Sequence, residues 1–189
     1  LRIQRKLFRR QERELTRSEY ERLVETAKRT GKERLALLLE SIAATGIRVS
    51  EVQYLTVEAA RTGRTEISLK GKIRVILLPH RLCRKLLKYA KKQKTVSGQI
   101  FLTRNGKSMS RKQIWAEMKA LCKAAGIAAD KVFPHNLRHL FAREFYKICR
   151  DVVKLADILG HSSIETTRIY LLSTGEEHVK QLSRLRLIS

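Results

Sequence analysis

The chain has 189 residues, of which 43% are hydrophobic, so it can bury a core and is predicted to form one domain, or two small ones at most. Lysine and arginine number 41 against 18 aspartate and glutamate residues, a formal net charge of +23. This composition excludes a disordered chain, and no apolar run approaches the ~20 residues that a membrane-spanning helix needs. The charge favours a partner with dense negative charge, with nucleic acid before membrane.

The amino-terminal third is predicted to be helical. Residues 1–14 are rich in basic side chains without a helical stripe, which is typical of a linker or arm. The sequence TRSE at 16–19 is a capping box, so the first helix is predicted to begin there. A second helix is predicted over about 32–45, ended by Gly46, and a short third helix from Ser50.

Residues 66–78 contain the only clear β signal. Residues 66–69 alternate, Lys70-Gly71-Lys72 predicts a turn, and residues 73–78 are β-branched and apolar. Residues 99–102 predict a further short strand. The predicted fold is therefore mainly α with a small antiparallel β-hairpin sheet, of the α+β class.

Four further helices are predicted: one over 80–94, one from Ser110 to Gly126, one from Pro134 to about Arg150, and one from Asp151 to Gly160. A short helix that carries Tyr170 follows, and a tail helix is predicted from Glu176 to Leu185. The three cysteines are widely spaced and odd in number, without a metal-ligand pattern. They are predicted to be buried, reduced thiols of a cytosolic protein, at Cys83, Cys122 and Cys149.

Five polar residues stand out in short motifs: Arg48 in ATGIRVSEV, His135 and Arg138 in PHNLRH, His161 in LGHSS, and Tyr170 in TTRIY. Each alone is typical of an ordinary surface or core residue. Together, two arginines and two histidines supply donors suited to a phosphate. A tyrosine can be the nucleophile that forms a covalent phosphotyrosyl link. Lys70, at the tip of the predicted hairpin, is suited to protonate a leaving 5′-oxygen.

These motifs, in this order, resemble those of the tyrosine recombinases, the integrases of phages and mobile elements. ATGIRVSEV resembles the first arginine box of that family, HNLRHLFA the second, and LADILGHSSIETTRIY the final box. The resemblance covers residues 15–175 and implies the tyrosine-recombinase catalytic-domain fold. It also implies a site-specific DNA recombinase or integrase that cleaves and rejoins strands through a covalent 3′-phosphotyrosine, without metal, ATP or another cofactor, to integrate or excise a mobile element.

The resemblance implies a role for each matching residue. Arg48 and Arg138 would hold the scissile phosphate. His135 would act as general base or hydrogen-bond partner, and His161 as a donor to the phosphate. Tyr170 would be the nucleophile.

Three further residues match the family's pattern less completely. Lys70 precedes the turn glycine as the family's catalytic lysine does, so it is favoured over Lys72 as general acid. Glu51 matches an acidic position that would orient the site, although an exposed carboxylate at a helix start is an equal interpretation. His139 would be a packing or supporting residue.

The resemblance also predicts the domain organisation and the partners. Residues 1–14 would be the remnant of a linker to a DNA-binding domain, 15–175 the catalytic domain, and 176–189 a tail helix that docks in cis or in trans. The partners would be double-stranded DNA at attachment sites, other copies in a tetrameric synaptic complex, and an accessory DNA-bending or excision factor, with no membrane. Such a protein is expected in the bacterial cytoplasm, at the nucleoid.

Three alternatives remain open from the sequence. A type IB topoisomerase-like enzyme uses the same chemistry. A non-catalytic basic DNA-binding domain accounts for the charge, but not for the order of the motifs. A metallohydrolase is suggested by His135 and His139 at positions i and i+4, but Asn136 stands where a zinc helix needs glutamate.

Overall fold

The computed structural model describes residues 14–69 and 72–171. Its elements are, in chain order, α1 (Arg17–Arg29), α2 (Glu33–Thr45), a 3-10 helix (Val49–Tyr54), α3 (Val57–Thr62), β1 (Arg64–Leu69), β2 (Lys72–Leu77), α4 (His80–Lys92), α5 (Arg111–Ala125), α6 (Pro134–Cys149), α7 (Val152–Leu159), α8 (Ile164–Arg168) and a 3-10 turn (Ile169–Leu171). Strands β1 and β2 pair antiparallel, with Arg64 opposite Leu77 and Leu69 opposite Lys72. The prediction of a mainly helical fold with a small antiparallel sheet is confirmed.

Helix α2 is the centre of the main core. It packs against α1, α4 and α6, so most of its side chains are buried rather than one stripe alone. Its larger apolar side chains are buried, among them Leu35, Leu38, Leu39 and Ile42. The chain therefore folds around a helix that ends at Gly46, two residues before Arg48.

A second, smaller apolar cluster joins the carboxyl-terminal elements to α6. Its buried members are Ala142 of α6, Leu155 and Leu159 of α7, and Tyr170 of the last 3-10 turn. Because Tyr170 belongs to this cluster, the short segment after α7 is held against α6 instead of extending into solvent.

The predicted helix boundaries agree with the structure where a cap defines them. Thr16 and Glu19 form the reciprocal capping box, with Thr16 Oγ1 accepting from Glu19 N at 3.2 Å and Glu19 Oε2 accepting from Thr16 N at 2.8 Å. Asp151 caps α7 through Lys154 N at 2.9 Å. Gly46 ends α2 in the left-handed conformation, with a φ of 65°.

The predicted short third helix is present as a 3-10 helix, since Glu51 N and Leu55 N bond to carbonyls three residues earlier. Two other predictions of local structure were wrong in detail. Residues 99–102 form no strand, because Gln99 and Leu102 each make a single bridge to a loop residue. Cys149 is half-buried rather than buried, since it is the last residue of α6, whereas Cys83 and Cys122 are buried; all three are free thiols.

Several predictions fall on residues outside those described. They concern all but the last residue of the predicted linker at 1–14, the turn residues Lys70 and Gly71, and the predicted tail helix from Glu176 to Leu185. Next to the first of these ranges, Leu15 is buried, and its carbonyl accepts from Arg143 Nη2 at 2.7 Å. Among the helices described, none is long and apolar enough to cross a bilayer.

Candidate active site

Three arginines converge on the carboxyl-terminal end of α7. The last carbonyls of a helix have no partner within the helix and carry partial negative charge. Here the carbonyl oxygens of residues 158, 159 and 160 accept from Arg74 Nη2 at 2.8 Å, Arg138 Nη2 at 2.6 Å and Arg48 Nη2 at 3.1 Å, respectively. One helix end therefore positions three cationic side chains that are distant in sequence.

Glu51 is the only carboxylate that bonds to these arginines in the part of the chain that the structure describes. Its side chain is 1% exposed, so its interpretation as an exposed carboxylate at a helix start was wrong. Glu51 accepts from Arg48 N at 2.7 Å and from Arg48 Nη1 at 2.9 Å. Arg74 Nη1 lies 2.6 and 2.5 Å from its two oxygens. Burial raises the pKa of Glu51, but the bond from the Arg48 backbone and the charge of Arg74 outweigh it, so the pKa is below the ordinary value.

Arg138 is the most deeply buried of the three arginines. Its Nη1 donates to the carbonyl of Gly46, at the end of α2, and its Nη2 also lies 2.9 Å from His161 Nε2. Burial, and then the charge of Arg48, lower the pKa of Arg138 to about 10. The side chain therefore remains cationic at neutral pH, held between the ends of α2 and α7.

His161 follows the end of α7 directly and is neutral at pH 7. Because a guanidinium only donates, Nε2 of His161 accepts from Arg138, and Nδ1 carries the proton. Nδ1 lies 2.8 Å from Oγ1 of the buried Thr167. Burial, followed by the charges of Arg138 and Arg48, lowers the pKa of His161 to about 4.

Tyr170 lies inside this group of polar side chains. Its ring stacks on His139 with centroids 4.1 Å apart, and the centroids of His161 and His135 are 5.1 and 5.3 Å away. Arg138 Cζ lies 6.0 Å from the ring centroid. His135 and His139 both reach the ring because they are one helical turn apart on α6. The arrangement places the phenol of Tyr170 beside Arg138 within one chain.

Comparison with known proteins identifies the family to which this chain belongs. Residues 13–177 match the sequence model of the phage integrase family. The chain belongs to this family. Tyrosine recombinase XerA of Pyrococcus furiosus is 30% identical over 182 residues, which are 92% of this chain and 62% of that relative. The chain thus spans less than two thirds of this curated relative.

Solved structures of recombinases share the fold of this integrase-family chain. The crystal structure of XerA recombinase aligns with a TM-score of 0.77 at 24% identity, over 100% of this chain and 68% of that one. A lambda integrase tetramer bound to a Holliday junction aligns with a TM-score of 0.68 at 21% identity, over 83% of this chain and 47% of that one. The resemblance to the tyrosine recombinases drawn from the motifs is confirmed.

The structure brings together nearly all of the site residues predicted from the integrase-family motifs: Arg48, Glu51, His135, Arg138, His139, His161 and Tyr170. Lys70 lies outside the described residues, and Lys72 is the first residue of β2. Within residues 14–69 and 72–171, no group of three or more His, Cys, Asp or Glu side chains is placed to hold a metal ion.

The sequence interpretation missed Arg74. Its neighbours on β2 alternate, with Ile73, Val75 and Leu77 exposed and Ile76 buried. Arg74 shares the inward face with Ile76, and its side chain is only 10% exposed. A charged residue at an inward position of an alternating strand was the signal that could have revealed it, because such a charge requires a buried partner.

Proposed function

We propose that this chain is the catalytic domain of a site-specific DNA recombinase that breaks and rejoins DNA strands through a covalent 3′-phosphotyrosine. The observation that carries the proposal is the position of the Tyr170 ring, packed on His139 and 6.0 Å from the guanidinium carbon of Arg138. Membership of the phage integrase family supports the same chemistry.

Arg48 and Arg138 are arranged to bind one phosphate. The Arg48 side chain is 39% exposed and can meet the DNA backbone first, whereas the buried Arg138 lies deeper, beside the phenol. Three of the five N–H groups of Arg138 bond to protein acceptors. Donors therefore remain for the phenol and for a non-bridging oxygen. Such charge-assisted bonds stabilise the charge that develops on the five-coordinate phosphorus.

Each bond broken in the proposed reaction is matched by a bond formed. The Tyr170 oxygen attacks phosphorus while the bond to the 5′-oxygen breaks. His135 takes the phenol proton, and Lys70 gives a proton to the 5′-oxygen. The phosphodiester to the sugar is replaced by a phosphodiester to tyrosine, so a 5′-hydroxyl can reverse the step without ATP.

His161 would change its hydrogen bonding when a phosphate arrives. In the structure its Nε2 accepts from Arg138. The hydroxyl of Thr167 can donate as well as accept, so it can bond to an unprotonated Nδ1 and leave the proton on Nε2. His161 would then donate to the phosphate, as the resemblance implies, while remaining neutral.

Glu51 and His139 are proposed to position the reacting groups. Glu51 fixes both the backbone and the guanidinium of Arg48. His139 stacks on the ring of Tyr170 with an angle of 28° between the planes, which restricts how far the phenol can turn. Both effects preorganise the site before DNA binds.

The substrate and the assembly follow from the same proposal. The net charge of +23 suits double-stranded DNA, so we propose attachment sites of a mobile element as the target, in the bacterial nucleoid. Lambda integrase forms a tetramer on a Holliday junction, and we propose a similar tetramer here, with the tail of residues 176–189 as a docking segment and an accessory DNA-bending or excision factor as a further partner. The unit that cleaves is proposed to span residues 15–175, after a linker at 1–14.

Trapping on nicked DNA tests the chemistry. The protein is incubated with a pool of duplexes whose central segment is randomised and nicked. Cleavage close to the nick releases a short fragment, so the covalent adduct cannot reverse and survives in detergent. Tyr170→Phe should bind the pool but form no adduct. Tyr146→Phe, a matched change in the same apolar cluster, should form it normally.

The other outcomes separate the alternatives. If the unaltered protein binds the DNA pool but forms no adduct, the result would favour a non-catalytic DNA-binding domain. Adducts of normal yield in Tyr170→Phe would refute the nucleophile. Relaxation of supercoiled plasmid without any joined pair of sites would favour a topoisomerase.

A further inference from the structure

Arg74 connects the hairpin to three parts of the site. From β2 its Nη1 bonds to both oxygens of Glu51, and its Nη2 donates to the carbonyl of Ile158 near the end of α7. Its aliphatic stem covers Gly160, where an added Cβ would lie 2.4 Å from Arg74 Cδ. Both terminal nitrogens of Arg74 are bonded to the protein and its Nε is buried, so we expect Arg74 to act through its neighbours rather than by contacting a phosphate.

We propose that Arg74 is a positioning residue that supplies the countercharge of Glu51, so that Arg48 keeps its own charge for the scissile phosphate; this rests on the function proposed above. Glu51 alone would create a conflict. The same carboxylate that orients Arg48 would also neutralise it. With Arg74 paired to Glu51, Arg48 is oriented and its positive charge remains uncompensated.

The charges of the site support this division of labour. Arg48, Arg74 and Arg138 contribute three positive charges and Glu51 one negative charge, which leaves a net of two. Without Arg74 the net is one. Burial is the main cause of the lowered pKa of Arg138 and of His161, and the charge of Arg74 makes a smaller contribution in the same direction at both. A site with weaker positive potential stabilises the extra charge of the transition state less.

A contribution to folding stability explains the Arg74–Glu51 ion pair less well than charge balance does. Replacing a buried ion pair by apolar groups is often neutral or stabilising, because burial of both charges costs desolvation. Among the described residues, Arg74 Nε is also buried without a hydrogen-bond partner, which adds a further cost. An apolar residue like Ile76 would fill this inward position of β2 at lower cost, whereas only a cation can balance Glu51.

Single-turnover rates of adduct formation at saturating protein, on the sequence recovered from the trapping pool, test the role. Arg74→Met keeps the stem and removes the charge, and should slow the adduct about tenfold or more. Arg74→Lys keeps the charge and should retain most of the rate. The decisive variant is Arg74→Met combined with Glu51→Gln. Removing both charges restores the net charge, so this variant should be several-fold faster than Arg74→Met alone.

Arg34→Met is the matched control. Arg34 is also half-buried and donates to one carboxylate, Glu117 at 2.7 Å, and one backbone carbonyl, Leu102 at 2.7 Å, away from the site. It should leave the adduct rate unchanged. If Arg74→Met fails to fold by circular dichroism, Arg74→Gln replaces it in both the single and the double variant, since glutamine still donates to Glu51 without a charge.

A second readout does not depend on cleavage. Inorganic phosphate is titrated while the ring resonances of His161 are followed by NMR. Arg74→Met should weaken phosphate binding, and the double variant should restore it. If the unaltered protein forms no adduct, the proposed function fails, and this titration decides the role of Arg74 alone. A double variant no better than Arg74→Met in either readout, or an Arg74→Met protein equal to the unaltered one, would overturn the inference.

Discussion

Gly46 is the residue at which a single methyl group should disturb both the fold and the site. It ends α2 with a φ of +65°, and its carbonyl accepts from Arg138. A Cβ at this position would lie 2.4 and 2.7 Å from two ring atoms of Phe141 and 2.9 Å from Cδ2 of Leu159. Phe141 and Leu159 both belong to the apolar cluster that contains Tyr170, so a shift of either side chain would disturb the packing around Tyr170.

The size of the effect follows from two separable costs. A residue with a Cβ in the left-handed conformation costs roughly 1–2 kcal/mol. Forcing a methyl group into a packed interior costs about 1–3 kcal/mol more. Gly46→Ala should therefore lose about 2–5 kcal/mol of unfolding free energy. Gly126 ends α5 with a φ of +62° and has nothing within 4 Å of an added Cβ. Gly126→Ala should show only the first cost.

Urea unfolding followed by circular dichroism measures both variants. The difference between them, about 1–3 kcal/mol, isolates the clash because the backbone cost is shared. Gly46→Ala should also slow adduct formation under conditions where it remains folded, since the carbonyl that holds Arg138 is displaced. Equal losses of stability in the two variants would refute the packing argument, and an unchanged adduct rate would refute the link to Arg138.

Three further outcomes are expected. The pKa of His161 is about 4 in the folded chain against an ordinary 6.5, so between these pH values only the unfolded chain binds this proton. The free energy of unfolding should therefore decrease as the pH falls from 6.5 to about 4. Urea titrations at several pH values should show a smaller decrease for His161→Gln. Affinity for duplex DNA should drop with a log–log salt slope of several units, and a flat slope would show that the net charge of +23 is not a DNA footprint. Lys70→Ala should slow cleavage roughly a hundredfold or more on ordinary DNA and far less with a 5′-phosphorothiolate leaving group; rescue of Lys72→Ala instead would reassign the acid.

Local signals explain why most of the fold could be predicted. Caps such as Thr16 and Asp151, and the stop at Gly46, act within one helical turn, so a short stretch of sequence contains the whole cause. The segment at 99–102 has the composition of a strand but meets only loop residues in space. Its outcome depended on a partner elsewhere in the chain, which periodicity cannot show.

The same distinction separates the parts of the site. Arg48, Arg138, His161 and Tyr170 could be predicted because their motifs are continuous in sequence and characteristic of a family. Arg74 stands in no such motif, and its role depends on contacts 23 and 84 residues away along the chain. Only the folded structure shows that β2 lies against the end of α7.

Three guanidinium groups gathered before any phosphate binds must repel one another, and the fold contains the means to hold them. The end of α7 offers each arginine a carbonyl oxygen, so the partial negative charge of a helix end is shared among three cations. One buried carboxylate balances a single charge, and His161 stays neutral. Under the proposed function, the positive charge that is not balanced within the protein is available to attract a phosphodiester. A second carboxylate beside the arginines would make the site more stable without DNA, but the proposed scissile phosphate would then bind less well because the positive charge would already be neutralised.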